Sequence, residues 1–294
     1  MSEGIENQKP EEIISAPLQK PWRIFAIEAF LFCLTLGLGI AAAFKINEFF
    51  KIKKITPPEI SLWQFILYFL LAALFLLLIL RFLKFQKGKG VFLKILFLLS
   101  TFLGGLLFLE VWLPEPGPLI LIALFNFWWW KSPSVLSQDI LMILGMAGVG
   151  SVLGLSLNPE IVAGLLVIFS IYDFIAVYKT KHMVKMAKEM IESKAILALV
   201  IPSNIFSFQE SLGKIKPGGE FLILGGGDIV FPLLFCASLI TTGILNSLIV
   251  ALFSLIGLFI GFYIFAQQKV RQPIPALPPI AFFSIIGFLI TKLI

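Results

Sequence analysis

Nine apolar runs, each close to the length of a bilayer-crossing helix, limit what this chain can fold into more than any other feature. A spanning helix needs about 20 mostly apolar residues. By that measure spans are expected at about 24–44, 62–82, 91–113, 117–130, 136–156, 160–179, 226–242, 246–266 and 276–293. Only 14% of the 294 residues are charged, where an average soluble domain carries roughly 25%. The expected fold is an all-α polytopic membrane protein with nine transmembrane helices. The fourth run is short, with Pro118 near its start, which makes a thin or tilted span. Its ending, Phe127-Trp128-Trp129-Trp130, has the composition of an interfacial belt. In the fifth run Gly145, Gly148, Gly150 and Gly154 form a small-residue series that favours close helix contact.

Charge orients the bundle. Eighteen of the 23 Lys and Arg residues fall in the loops on one side and five on the other. The positive-inside rule puts the richer side in the cytoplasm. The N-terminus is then cytoplasmic and the C-terminus external, and eight spans would break that alternation. Residues 1–20 are polar and acidic and precede any apolar run, so a retained first helix, a signal anchor, is expected in place of a cleaved signal peptide. The same spread of basic residues over loops argues against nucleic acid as a partner, despite the +6 net charge. Cys33 and Cys236 lie inside apolar runs and read as packing residues. His182 stands in a basic run without a partner motif, so no metal or other cofactor is expected.

The longest stretch between spans is the cytoplasmic loop 180–220. Lys181, Lys185 and Lys188 share one helical face there, consistent with a helix leaving the membrane or lying on anionic lipid. Ala195–Ile201 is too short to span, rich in β-formers and ended by Pro202-Ser203-Asn204. Phe221–Leu224 follows Pro217-Gly218-Gly219 in the same style. Two readings stand for these runs: a pair of short β-strands between helices 6 and 7, or an interfacial loop packed on lipid.

The chemistry concentrates in few residues. The chain holds three aspartates, Asp139, Asp173 and Asp228. Asp139 begins the fifth run, where an acid near a helix N-terminus is ordinary. Asp173 follows Tyr172 near the cytoplasmic end of the sixth run, and Asp228 closes Gly225-Gly226-Gly227-Asp228 at the start of the seventh. A carboxylate in hydrocarbon costs roughly 2.5–3.5 kcal/mol on insertion scales. Consecutive spans run antiparallel, so the two carboxyls fall at similar depth. Two carboxyls sharing a site hold one proton between them and offer one base and one acid at once. Such a pair can deprotonate a water and protonate a scissile carbonyl without a metal. Gly225 and Gly227 permit close backbone approach and unusual φ/ψ beside it. Tyr172 either orients Asp173, walls the pocket or simply packs. Gln272-Pro-Ile-Pro275-Ala276-Leu277-Pro278-Pro279 cannot be an ordinary helix interior; it is an extended wall or substrate-pairing segment, or a plain proline-rich helix start.

Tyr172-Asp173, Gly225-x-Gly227-Asp228 and Pro275-Ala276-Leu277, in the sixth, seventh and ninth spans, resemble the YD, GxGD and PAL signatures of the presenilin and signal peptide peptidase family of GxGD aspartyl intramembrane proteases. By that resemblance Asp173 and Asp228 are the catalytic pair, and Pro275, Ala276 and Leu277 shape the site and bind substrate. The N-in, C-out orientation matches presenilin, and signal peptide peptidases are inverted, which implies substrates in the type I orientation. The resemblance is to a compact microbial homologue, archaea being one source, in the cell membrane if prokaryotic, and working without accessory subunits; homo-oligomers stay open. Residues 1–294 then form one membrane domain: a polar tail 1–20, a scaffold 24–158 of helices 1–5, and a catalytic part 160–294 of helices 6–9 with the loop 180–220. The expected function is an intramembrane aspartic endopeptidase acting on transmembrane-helix proteins in the lipid bilayer. The alternative is a proton-coupled membrane transporter or ion-leak channel using the same carboxylates, and against it stands the lack of inverted-repeat symmetry. Prepilin peptidases, another GxGD class, lack the YD helix and the PAL element.

Overall fold

A computed structural model describes residues 21–55, 60–82, 86–179, 189–215, 220–268 and 272–293. The polar tail, the Lys181–Lys185–Lys188 face and His182 lie outside the described residues. Helices occur at every expected position: α1 (Pro21–Lys53), α2 (Leu62–Phe82), α3 (Gln86–Glu110), α4 (Gly117–Lys131), α5 (Val135–Leu155), α6 (Pro159–Tyr178), α7 (Gly226–Ser238), α8 (Ile244–Ala266) and α9 (Leu277–Thr291). Five of them, α1, α3, α5, α6 and α8, are long and apolar enough to cross a membrane. The chain is mostly helical and its apolar surface faces outward, as in an integral membrane protein.

The edges differ from the apolar runs for local reasons. Helix α1 continues to Lys53 instead of ending near 44, because nothing in Lys45–Lys53 breaks a helix. Glu48 and Lys51 pair along it at 3.2 Å, and Lys45 lies over the Trp112 ring. Helix α7 ends at Ser238, short of the expected 242. There the Thr242 hydroxyl donates to the Leu239 carbonyl at 2.8 Å, and Gly243 turns the chain at φ 146°. Helices α4, α7 and α9 hold 15, 13 and 15 residues, about 20–23 Å of helix at 1.5 Å per residue. The tryptophans of α4 do not all form a belt. Trp128 and Trp130 are exposed, whereas Trp129 is buried and donates its indole N–H to Gln138 Oε1 at 2.9 Å.

Helix α5 is the buried centre, packed against α1, α3, α7 and β1. Its glycine series does what small residues at helix contacts do. A Cβ on Gly148 would collide with the Gly104 carbonyl of α3, and one on Gly150 would sit 2.5 Å from the Leu233 side chain of α7. A Cβ on Gly39 of α1 would likewise come to 2.5 Å from the same Leu233 side chain. Gly148→Val is therefore expected to lose about 3 kcal/mol, as overpacking against backbone does. Thermal unfolding in detergent checks this; a midpoint equal to wild type would show that α3 can give way.

The strand reading of the loop holds. Strand β1 (Ala198–Pro202) pairs antiparallel with β2 (Phe221–Gly225), Ala198 opposite Gly225 and Pro202 opposite Phe221. Short 3₁₀ turns at Ile205–Gln209 and Leu212–Lys214 join them, and Ser211 bridges to Ser134 just before α5. The ladder parity follows from its ends. Gly226 N–H donates to Leu197 O and Ser203 N–H to Glu220 O, so the pairs at Leu199–Leu224 and Ile201–Leu222 are hydrogen-bonded. The pairs at Ala198–Gly225, Val200–Ile223 and Pro202–Phe221 are not, and their backbone groups point away from the partner strand. On the β1 side that outward row is engaged, because Val200 N–H donates to Asp139 Oδ1 at 2.9 Å. The Ile196 carbonyl, just before β1, accepts from the Gln138 amide. Among the described residues no third strand covers β2.

Candidate active site

Strand β2 runs straight into α7, so the first turn of that helix is held by the sheet. The Gly226 amide is tied to Leu197 O at 3.3 Å, and a Cβ there would come 3.1 Å from that carbonyl and 3.2 Å from Met142 Cε. Gly226, at the position the GxGD pattern leaves open, is thus more tightly packed than Gly227. The unusual backbone angles expected of the flanking glycines are not used: Gly225 sits at φ −58°, ψ 139°, and Gly243 is the only described glycine with a left-handed φ. Gly227 instead leaves room, since a Cβ would meet nothing nearer than the Phe231 ring at 3.5 Å.

Asp228 follows in the first turn of α7, buried at 6% exposure, and accepts a hydrogen bond from the Gly225 backbone N–H. That N–H belongs to the outward row of β2. Asp173 stands in the last turns of α6, partly buried, and accepts from the Leu277 backbone N–H at the start of α9. Its Oδ2 has no hydrogen-bond partner.

Packing sets the relative depth of the two carboxyls. Phe169 of α6 stacks on Phe231 of α7 with ring centroids 4.3 Å apart. Asp173 lies one turn after Phe169 and Asp228 one turn before Phe231, each on the same helix face as its ring. With neighbouring antiparallel helices, both acids then lie on the same side of the aromatic stack. The charge of Asp173 reaches Asp228. The structure thus gathers Asp173, Asp228 and Leu277 from three helices.

The other expected residues are placed as follows. Pro275 and Leu277 are buried, and Ala276 is half-buried as the N-cap of α9. Gln272–Ala276 has no regular structure, and Pro278 and Pro279 occupy the first turn of α9, where missing amides cost nothing. Helix α9 is clamped to α8 where a Cβ on Gly257 would reach 2.5 Å from Pro279 O, and to α6 at its far end by Lys292–Glu160 at 3.0 Å. Tyr172 is 62% exposed, beside Asp173 in sequence but directed outward. Asp139, expected to serve the α5 N-terminus, lies beyond the first turn and holds β1 through Val200 instead. Sequence reasoning assigned no role to Glu28 of α1, which is buried at 4% exposure within reach of the Asp228 charge. The one available signal was an acid inside an otherwise apolar run.

A family model described as "Signal-peptide peptidase, presenilin aspartyl protease" matches residues 27–294. The chain belongs to this family. Its members are integral membrane proteins, and the family's description names aspartyl protease chemistry. The fold has solved counterparts. A presenilin family intramembrane aspartate protease in space group C222 superposes with TM-score 0.61 at 23% identity, covering 92% of this chain and 98% of that one. The same description in space group P2 gives 0.55 at 22% identity, over 90% and 96%. A comparison with curated proteins found no match.

Proposed function

We propose that this signal-peptide peptidase and presenilin family chain is a GxGD-type intramembrane aspartic endopeptidase with Asp173 and Asp228 as its catalytic pair. The observation that carries the reading is the Phe169–Phe231 stack, which sets both acids one turn to the same side. One acid of the pair takes a proton from water while the other protonates the scissile carbonyl. The resulting gem-diol collapses as the proton moves to the leaving amine, and the pair returns to its shared-proton state. The Leu277 amide steadies Asp173, and the Gly225 amide steadies Asp228.

Substrates are transmembrane-helix proteins in the lipid bilayer, in the type I orientation. A helical substrate hides its carbonyls, so its end must unwind before attack. The outward row of β2, with Phe221 and Ile223, is a template for the freed strand by edge addition. Pro275, Ala276 and Leu277 wall the opposite side, Gly225 and Gly227 leave room for the strand, and Tyr172 meets substrate or lipid from its outward position. The reading includes nine membrane crossings by α1–α9, N-terminus cytoplasmic and C-terminus external, as the basic loops support. Within one membrane domain, helices of 24–158 form the scaffold and those of 160–294 the catalytic part. No accessory subunit is required.

The test is cleavage of a transmembrane peptide by purified, reconstituted protein, wild type against Asp173→Ala. A transporter or ion-leak channel would hydrolyse no peptide bond in either form.

A further inference from the structure

Glu28 has no role in the chemistry above, yet its position is costly. Its side chain is 4% exposed and Oε2 has no hydrogen-bond partner. A buried polar group left in that state destabilises a fold, and replacing buried ionic groups with apolar ones is often stabilising. Packing alone would be served better by leucine at this place. The elements packed against α1 are α5, α7, α8 and β1. Their titratable groups are Asp139 on α5, Asp228 and Cys236 on α7, and Tyr263 on α8, with none on β1. On α1 itself stand Arg23, Cys33, Lys45, Glu48, Lys51 and Lys53. Of all these, Asp228 is the one whose charge acts on Glu28. Among the described residues no group of three or more His, Cys, Asp or Glu side chains could hold a metal ion. Glu28 is therefore not one of three ligands gathered around a cation.

One packing contact and one electrostatic relation fix how the helices lie. The charge of Asp228 acts on Glu28, and Gly39 packs against Leu233. The order is the same along both chains, so α1 and α7 run parallel. Glu28 precedes Gly39 by about 16.5 Å of helix, and Asp228 precedes Leu233 by about 7.5 Å, at 1.5 Å per residue. Along the helix axes Glu28 is thus displaced by about 9 Å from Asp228 toward the end of the bundle where the β-pair sits. An offset of that size is beyond direct contact and suits a chain of two or three hydrogen-bonded waters, at about 2.8 Å per step.

We propose that Glu28 is a third carboxyl of the site, a positioning residue that exchanges a proton with Asp228 along the α1–α7 seam and so sets the protonation state in which the Asp173–Asp228 pair works. A proton passed from Glu28 to the pair is replaced from the aqueous end of the seam, so no charge is stranded. The role rests on the protease reading above, but the coupling between the two carboxyls does not.

Two measurements test it. In reconstituted enzyme, Glu28→Gln is expected to lower kcat for a transmembrane peptide about tenfold at neutral pH, leave KM unchanged, and displace the pH–rate profile toward lower pH by about half a unit or more. Glu28→Leu should show the same displacement while unfolding no earlier than wild type. A purely structural Glu28 would instead lower stability in both variants and leave the profile in place, which would overturn the proposal. The second measurement needs no cleavage: the infrared carboxyl band absent from Glu28→Gln is titrated in wild type and in Asp228→Asn. Coupled carboxyls shift each other, so its midpoint should move between the two, and equal midpoints would overturn the proposal. Failure of wild type to cut any peptide would sink the protease reading alone, leaving the infrared titration to decide the coupling.

Discussion

Asp173→Ala and Asp228→Ala are each expected to bring cleavage of a transmembrane peptide to background, a loss of about 10⁴-fold or more in kcat. General acid–base groups contribute about 10²–10⁴-fold each, and members of one catalytic unit fail together. The double variant should therefore be little worse than either single one. Folding should survive, since each change removes a costly acid from the bundle: Asp228 is buried, and Asp173 Oδ2 is unpartnered. Unfolding midpoints at or above wild type are expected, with the helical circular dichroism unchanged. The surviving activity of wild type should follow a bell in pH. Below its acid limb both carboxyls are protonated and no base remains; above its alkaline limb both are ionised and no acid remains. Near-wild-type turnover in Asp228→Ala, or a rate flat from acid to alkaline pH, would remove the pair from the mechanism.

How much of this was legible in the chain depends on range. Helix positions follow from apolar runs, because bilayer thickness and backbone hydrogen bonding leave little choice. Ends were less legible where local chemistry overrides hydropathy, as at the Thr242–Gly243 stop of α7 and the continuation of α1 to Lys53. The motif residues were legible as candidates, and the structure puts the Leu277 amide on Asp173 and Asp228 within reach of the Asp173 charge. What could not be read is what depends on tertiary register. Nothing local says that Gly226 would be more crowded than Gly227, or that Asp139 would reach Val200. Glu28 is visible in the sequence as an acid in an apolar run, but its link to Asp228 exists only once α1 and α7 lie parallel.

The tie between scaffold and site also emerges only in three dimensions. Trp129 donates to Gln138, Gln138 donates to Ile196 O, and Asp139 takes the Val200 amide. One turn of α5 thereby holds β1, β1 holds β2, and β2 leads directly into Asp228. The scaffold helices set the position of an acid on α7 through a sheet they do not themselves belong to. This brace also uses the outward amide of β1 at Val200, which directs any further strand to the other edge.

That other edge carries the last prediction. Ile223→Pro is expected to lower kcat/KM at least about tenfold while the protein still folds. The Ile223 N–H lies in the outward row, since Val200 opposite it donates to Asp139 and not across the ladder. Proline is tolerated in strands where no ladder amide is lost, so the β1–β2 pairing should remain. Leu222, the preceding residue, already has the extended conformation that proline demands of its neighbour. A substrate strand would lose a backbone hydrogen bond worth up to about 1.5 kcal/mol and meet the proline ring besides. Leu222→Pro is the control: its amide belongs to the hydrogen-bonded pair with Ile201, so that variant should lose both sheet and stability. The comparison is read from steady-state cleavage beside thermal unfolding. If Ile223→Pro folded and cleaved at the wild-type rate, β2 would be a support for Asp228 only, and the unwound substrate would have to lie along the Pro275 segment instead.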